Sequence, residues 1–327
     1  MTVRHWRGAG CAALALALAM GAVTAVAGRP QAAAAPQIVR HPAPSGPLAA
    51  RLDWAHGEAA KASGASKGFW VGYGIRREMG EHSQMGVNIS FTSTEPSLEE
   101  RIYGRRPAAE RKLSTDGPVM VRAVRSGPDG KSLIERKIVR ELAVLLRFDA
   151  PAARRPRSIS VCTIDYGVAL ESGPLFWVGP AADDDSVRLL TSWFGPGAPA
   201  DLRSAVLEAV ALHRAPDLVV PFLEKVVAGR ESEELRKDAA EALGDQPDPH
   251  ALDVLKRTAK TDASIEVRKA AVEGLGDMPL AGAFDVLVDL AVHEKEPKVR
   301  IAAIEALGEF HTPAAAQALV GIIKSAR

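Results

Sequence analysis

A chain of 327 residues, 47% hydrophobic and 25% charged, has room for two globular domains and the core to support them. A formal charge of +1 removes any bulk electrostatic reason to expect nucleic acid or an anionic membrane surface as the partner. Two cysteines, Cys11 and Cys162, are too few for a disulfide framework.

Residues 1–27 read as a targeting segment. "MTVRHWR" supplies positive charge, an uncharged Ala/Leu-rich run follows, and Ala25-Val26-Ala27 fits a signal peptidase site. The mature chain is then exported to the periplasm or cell envelope, with Cys162 as its single thiol. The alternative is an uncleaved inner-membrane anchor over residues 8–27, because the apolar run approaches the ~20 residues that span a bilayer. Residues 28–48, "GRPQAAAAPQIVRHPAPSGPL", have the composition of a Pro/Ala-rich tether.

Residues 49–198 mix periods. Leu48, Leu52, Ala55 and Ala59 recur at helical spacing. "GFWVGYGIRRE" places Phe69, Val71, Tyr73 and Ile75 on one side of a strand. "VNISFTSTE", "PVMVRAVRS", "LAVLLRFDA" and "RSISVCTIDYGV" are further strands, "SGPDG" at 126–130 is a turn, and "PLFWVG" adds an edge strand. "DDDSVRLLTSWF" reads as a helix with acids at its positive end, a simpler account of "ADDDS" than a calcium loop, whose spacing it lacks. The expected fold is α+β: a small antiparallel sheet with one or two covering helices. Cys162, in a strand without a basic neighbour, is expected to be an inert buried thiol. The basic run "RIYGRRPAAERK" at 101–112 is expected to be an exposed loop.

Residues 199–327 repeat. "LRKDAAEALG", "VRKAAVEGLG" and "VRIAAIEALG" follow a degenerate "LRSAVLEAVA". Their arginines, Arg203, Arg236, Arg268 and Arg300, stand 33, 32 and 32 residues apart. Apolar residues at i, i+4 and i+8 form one helical stripe, and Gly244, Gly276 and Gly308 are placed to close each helix in a left-handed conformation. A second apolar helix carries Leu223, Leu255, Leu287 and Leu319. A single helical hairpin cannot bury its own apolar face, so about four stack into an α-α superhelix.

These phrases resemble HEAT repeats of the short kind named after phycobilisome lyases. The leader, sheet and repeats together resemble bacterial exported proteins described as HEAT repeat domain-containing. The resemblance implies an armadillo-type solenoid, and its families include bilin lyases, an iron-dependent hydroxylase and plain binding scaffolds. The hydroxylase holds its irons with His-Glu pairs on several repeats. Here only His293-Glu294 is such a pair, against Thr261-Asp262 and Gly229-Arg230, so no metal ligand is carried over. His213, His250 and His311 are expected at solvated helix ends.

A Glu ladder, Glu208, Glu241, Glu273 and Glu305, follows the arginines by five residues. That spacing turns the two ladders apart on one helix, so pairing between neighbouring repeats is expected, as a structural device. The second helices are expected to line the inner surface and meet the partner through Glu224, Lys225, Asp253, Lys256, Arg257, Asp285 and Asp289. Their mixed signs fit a protein or peptide and not a phosphate backbone. The function expected is an exported interaction scaffold, with no catalytic residue and no cofactor assigned. An enzyme or cofactor-binding protein of the lyase or hydroxylase kind, and a membrane-tethered envelope regulator, are the alternatives.

Overall fold

The computed structural model describes residues 37–42, 45–62, 67–80, 84–104, 121–126 and 132–325. The leader, most of the tether, the "SGPDG" turn beyond Ser126 and the basic run beyond Gly104 lie outside them.

Helix α1, Leu48–Lys61, buries the predicted stripe of Leu48, Leu52, Ala55 and Ala59. It lies on a seven-stranded sheet. Strand β2, Phe69–Gly80, pairs antiparallel over its whole length with β5, Ser132–Phe148. Beyond β5 come β6, Ser158–Thr163, and β3, the two residues Gly86–Val87. Strand β4, Val121–Ser126, also pairs with β5.

On the other side of β2 the antiparallel expectation gives way. Strand β7, Leu175–Pro180, runs parallel to β2, and β1, Ile38–Arg40, runs parallel to β7. The sheet is therefore mixed. β7 is an interior strand and not an edge, as its unbroken apolar run "LFWV" befits a strand buried on both faces. The edge belongs to β1, contributed by residues expected to be tether.

The two faces of the sheet bury different sets. Phe69, Val71, Tyr73, Leu146 and Ile159 join the main core. Trp70, Leu145, Cys162 and Trp177 form a second, smaller core roofed by helix α2, Leu98–Tyr103. Cys162 is buried there, and burial first, then Asp165, pushes its thiol up to about 12, which leaves it unreactive.

Helix α3, Asp183–Thr191, leads into four hairpins. They are α4 and α5 (Ala200–Ala211, Pro216–Val227), α6 and α7 (Glu233–Gly244, Pro249–Thr261), α8 and α9 (Ile265–Asp277, Ala281–His293), and α10 and α11 (Pro297–Glu309, Pro313–Ser325). Helix α4 packs directly on β6, and one continuous core runs from α1 through the sheet to Leu307. The repeats thus grow out of the sheet's core.

The repeat glycines do not act as left-handed caps. Gly244, Gly276 and Gly308 all lie inside helices and have negative φ. Their purpose is close approach. A Cβ on Gly244 would stand 2.5 Å from the carbonyl oxygen of Gly274, and one on Gly276 would stand 3.2 Å from Ala306 Cβ. α6, α8 and α10 consequently pack much more closely than α7, α9 and α11 do. Unequal spacing bends a stack toward its tighter side, so the first helices line the inner surface. The second helices, expected there, lie outside.

Candidate functional site

The junction between sheet and repeats is built on a buried histidine. Expected at a solvated helix end, His213 is instead 1% exposed just past α4, because the sheet and α3 close over that end. Its Nδ1 lies 2.8 Å from the carbonyl oxygen of Ala209, which can only accept, so Nδ1 carries the proton. Nε2 then accepts from Ser186 Oγ at 2.7 Å, and Ser186 accepts from the Tyr73 hydroxyl at 2.8 Å. Each proton in this chain has one place to be. Burial first, then the charge of Arg77, lowers the His213 pKa to about 4, so the ring is neutral.

Beside it, Arg77 donates to the Leu212 carbonyl and, at 3.0 Å, to Asp183 Oδ1. Asp183 Oδ2 accepts from the Arg214 backbone at 2.8 Å. The acids of "ADDDS" are thus at a helix N-terminus as predicted, and Asp183 is also a junction residue. On α1, buried Arg51 donates through Nη1 to the Val178 and Pro180 carbonyls at 2.6 and 2.8 Å. None of these arginines shows a motif, since their partners lie more than 100 residues away.

Past the junction the Arg ladder finds different partners from those expected. Arg203 pairs with Glu231, Arg236 with Asp262 at 2.5 Å, and Arg268 with Glu294 at 2.5 Å. Each tie links a first helix to the connection after its own second helix. Arg300 instead donates to the Glu294 carbonyl at 2.9 Å. The glutamate of the one His-Glu pair is therefore a structural acid. Its exposed neighbour His293 donates to Asp289 at 3.0 Å.

The Glu ladder lies apart from these ties, on the inner side of the first helices. Glu208, Glu241 and Glu273 are half-buried in the crevice between the tight first helices, and Glu305 is exposed. Asp238 lies beside them on α6, and Lys237 and Lys269 bond back to Glu234 and Glu266 at 3.3 and 3.0 Å. Acids outnumber lysines along this groove, with Lys237 near enough for its charge to act on Glu241 and Asp238. The crowding is visible in their ionisation. Burial first, then Asp238, pushes Glu208 up to about 7, against a hydrogen bond from Asn88 at 3.2 Å that pulls it down. Burial and then Glu234 push Asp238 up to about 6. Asn88, held at φ 53°, brings the sheet's edge to the head of the groove.

On the outer surface Glu224 accepts from His250 and Arg257 at 2.8 and 2.6 Å, and Asp289 accepts from Lys260 at 2.6 Å. These pairs bridge successive second helices. Lys225, Asp253, Lys256 and Asp285 are exposed around them. A recess of about 600 Å³ lies at the α7–α9 end of this surface, lined by Lys260, Asp289, Leu290 and His293 among others. His250 and His311 are exposed at helix ends, as expected. Among the described residues no three His, Cys, Asp or Glu side chains converge as a metal site would require.

Stacked hairpins with this tie define an α-solenoid. Residues 187–275 and 258–327 match the family model of HEAT repeats, so this part of the chain is a HEAT-repeat array, beginning inside α3. No curated protein matches the chain. A solved structure, the complex of CpcE and CpcF of phycocyanin lyase from Nostoc sp. PCC7120, is similar at 26% identity over 43% of this chain and 87% of that one, with a TM-score of 0.33.

Proposed function

We propose that this chain is an exported interaction scaffold that docks a protein or peptide partner along the inner groove of its HEAT-repeat array. The observation that carries the reading is the half-buried Glu ladder on tightly packed first helices, whose arginines are engaged elsewhere. A groove of acids held partly out of water favours a partner that presents lysines or arginines, whose charge would offset the burial, and after it the neighbouring acids, that raise Glu208 and Asp238. The outer residues Glu224, Lys225, Asp253, Lys256, Arg257, Asp285 and Asp289 offer a second, mixed-sign surface. Export rests on the leader read in residues 1–27.

The test is crosslinked capture from the cell envelope with tagged full-length protein and two charge-swapped variants. Glu241→Lys with Glu273→Lys alters the inner groove, and Lys256→Glu with Asp285→Lys alters the outer surface. Loss of a stoichiometric partner with the inner pair alone supports the groove. Loss with the outer pair alone moves the site to the second helices. Capture that neither pair changes sinks the reading. An N-terminal mass measurement on the same material tells a cleaved leader from a retained anchor.

A further inference from the structure

We propose that the sheet carries a pocket for a single uncharged sugar ring, on the face that holds the smaller core. A recess of about 280 Å³ opens there between β2, β6 and the loops that carry Asn88 and Glu171. Its floor follows from strand alternation. Along β6, Ile159 and Val161 join the main core, while Ser158, Ser160 and Cys162 face the other way. Past buried Cys162 that row turns from apolar to hydroxyl, although Ser160 lies across the ladder from the core residue Leu145. Ser158 stands beside Arg147, and Arg147 beside Trp70, so hydroxyl, guanidinium and indole form one row. Among the described residues nothing engages the hydroxyls of half-buried Ser158 and exposed Ser90, both of which line the recess.

The walls are held in place by their own bonds. Trp70 Nε1 donates to the Glu171 carbonyl at 3.1 Å, and Arg147 packs over the indole, 5.4 Å from its centroid. Ser160 Oγ donates at 2.7 Å to the carbonyl of Asn88, a residue held in the left-handed region. The Glu171 carboxylate bonds Arg157 and stands 3.5 Å from Arg147 Nε. The one charged group lining the recess is therefore matched already. A cation would compete with two arginines for it, and an anion would be repelled by it. A ligand with several hydroxyls suits it, because each hydroxyl both donates and accepts. Its protons reach the fixed carboxylate, and its oxygens accept from Ser90 and Ser158. Arg147 adds a donor. Its Nε is buried with no hydrogen-bond partner among the described residues, and a ligand oxygen beside Glu171 supplies one. Trp70 gives an apolar wall for the C–H side of a sugar ring. Ligand pockets run from roughly 300 Å³ upward, so this one admits a ring and not a chain.

Amide NMR on the purified chain reads the pocket, in separate titrations with D-glucose, D-galactose, D-mannose and N-acetyl-D-glucosamine up to about 50 mM. At least one sugar should saturate with a dissociation constant of roughly 1–10 mM, the range open to so small a ligand. Shifts should centre on residues 88–90, 158–160 and 169–171 and on the Trp70 indole N–H. Glu171→Gln should weaken binding at least about tenfold, because a charge-assisted acceptor is lost, and Ser158→Ala about threefold. Neither side chain is fully buried, and the same spectra report whether each variant is folded. Asp285→Asn, on the outer surface, should leave binding unchanged. Four sugars without saturation, shifts centred elsewhere, a Glu171→Gln protein that binds like wild type, or acetate or lysine bound there as tightly overturns the proposal. Asn88 also reaches Glu208 at the head of the groove, yet the titration needs no protein partner, so the pocket and the groove can each fail alone.

Discussion

The first and fourth hairpins meet the same physical demand in opposite ways. Every hairpin has an apolar side that its neighbour must cover. At the first hairpin the cover is the sheet: α4 packs on β6, and Tyr73, Ser186, His213 and Arg77 seal the end of α4 with hydrogen bonds. At the fourth, Ile323, which stands where Ala259 and Ala291 are buried in earlier hairpins, is exposed. The contrast gives the sheet a role the sequence did not disclose, that of an N-terminal cap sharing one core with the repeats. Deleting the sheet would uncover α4 and remove more than a partner-binding module.

The sharpest way to break the comparison is at the sealed end. His213→Ala takes away the acceptor for the buried Ser186 hydroxyl proton and one of the donors to the Ala209 carbonyl, opens a cavity, and should cost about 3 kcal/mol in chemical denaturation at neutral pH. Ile323→Glu at the open end should cost under about 0.5 kcal/mol. Equal losses would refute the distinction between the ends. The histidine also sets a pH dependence. Its folded pKa, about 4, lies below the ordinary 6.5, so the unfolded chain binds the extra proton between those values. Stability from this site is full above about 6.5 and declines as pH falls toward 4.

Next in size is the tie that makes each hairpin a unit. Arg236 and Asp262 are 18% and 8% exposed, so removing the guanidinium strands a nearly buried carboxylate. Arg236→Met should cost about 2 kcal/mol, and Asp262→Asn less. Charge-neutral Arg236→Met with Asp262→Leu should recover much of the loss. A double variant no better than the single would show that the arginine acts through packing.

Two glycines at one repeat position sharpen the contrast further. Gly244→Ala forces a methyl group against the Gly274 backbone at 2.5 Å and should cost roughly 2 kcal/mol. Gly308→Ala meets open space inside a helix and should stabilise the protein by roughly 0.5–1 kcal/mol. Thermal melts decide it, and the same sign for both would refute the close-approach reading.

These outcomes also show which parts of the molecule the sequence could disclose. The hairpins were legible because "VRKAAVEGLG" and its relatives repeat a local pattern, and helix stripes are local. The core faces of α1 and β2 were legible for the same reason. What escaped depended on partners far along the chain. The glycine that ends each phrase looks like a cap until the neighbouring helix is placed against it. The Arg ladder's acids sit 26 or 28 residues downstream, across a hairpin, and an aligned search for acids at that offset would have found Asp262 and Glu294. His213 carries no sequence signal, because its burial is decided by a strand and a helix that precede it. Which helices line the groove was not legible, because curvature follows from helix spacing, and that spacing is set by the packed glycines.

The last effect, confined to high pH, is at Glu208, where the sealed end opens into the groove. Its folded pKa of about 7 lies above the ordinary 4.5, so the folded chain binds a proton that the unfolded chain releases as pH rises between those values. Folding stability attributable to this carboxyl is therefore greatest below about 4.5 and falls as pH climbs through 7. Glu208→Gln removes the dependence, keeps an acceptor for the Asn88 amide, and should gain roughly 1 kcal/mol at pH 8 with little change at pH 5, a figure reduced for the group's partial exposure to water. Denaturation of both proteins at the two pH values measures it. If a cationic partner fills the groove, its binding should lower the Glu208 pKa, so affinity should strengthen from pH 6 to pH 8 in the wild type and flatten in Glu208→Gln. A flat profile in both would leave Glu208 as part of the junction alone, and would confine the docking groove to Glu241, Glu273 and the helices beyond the sheet.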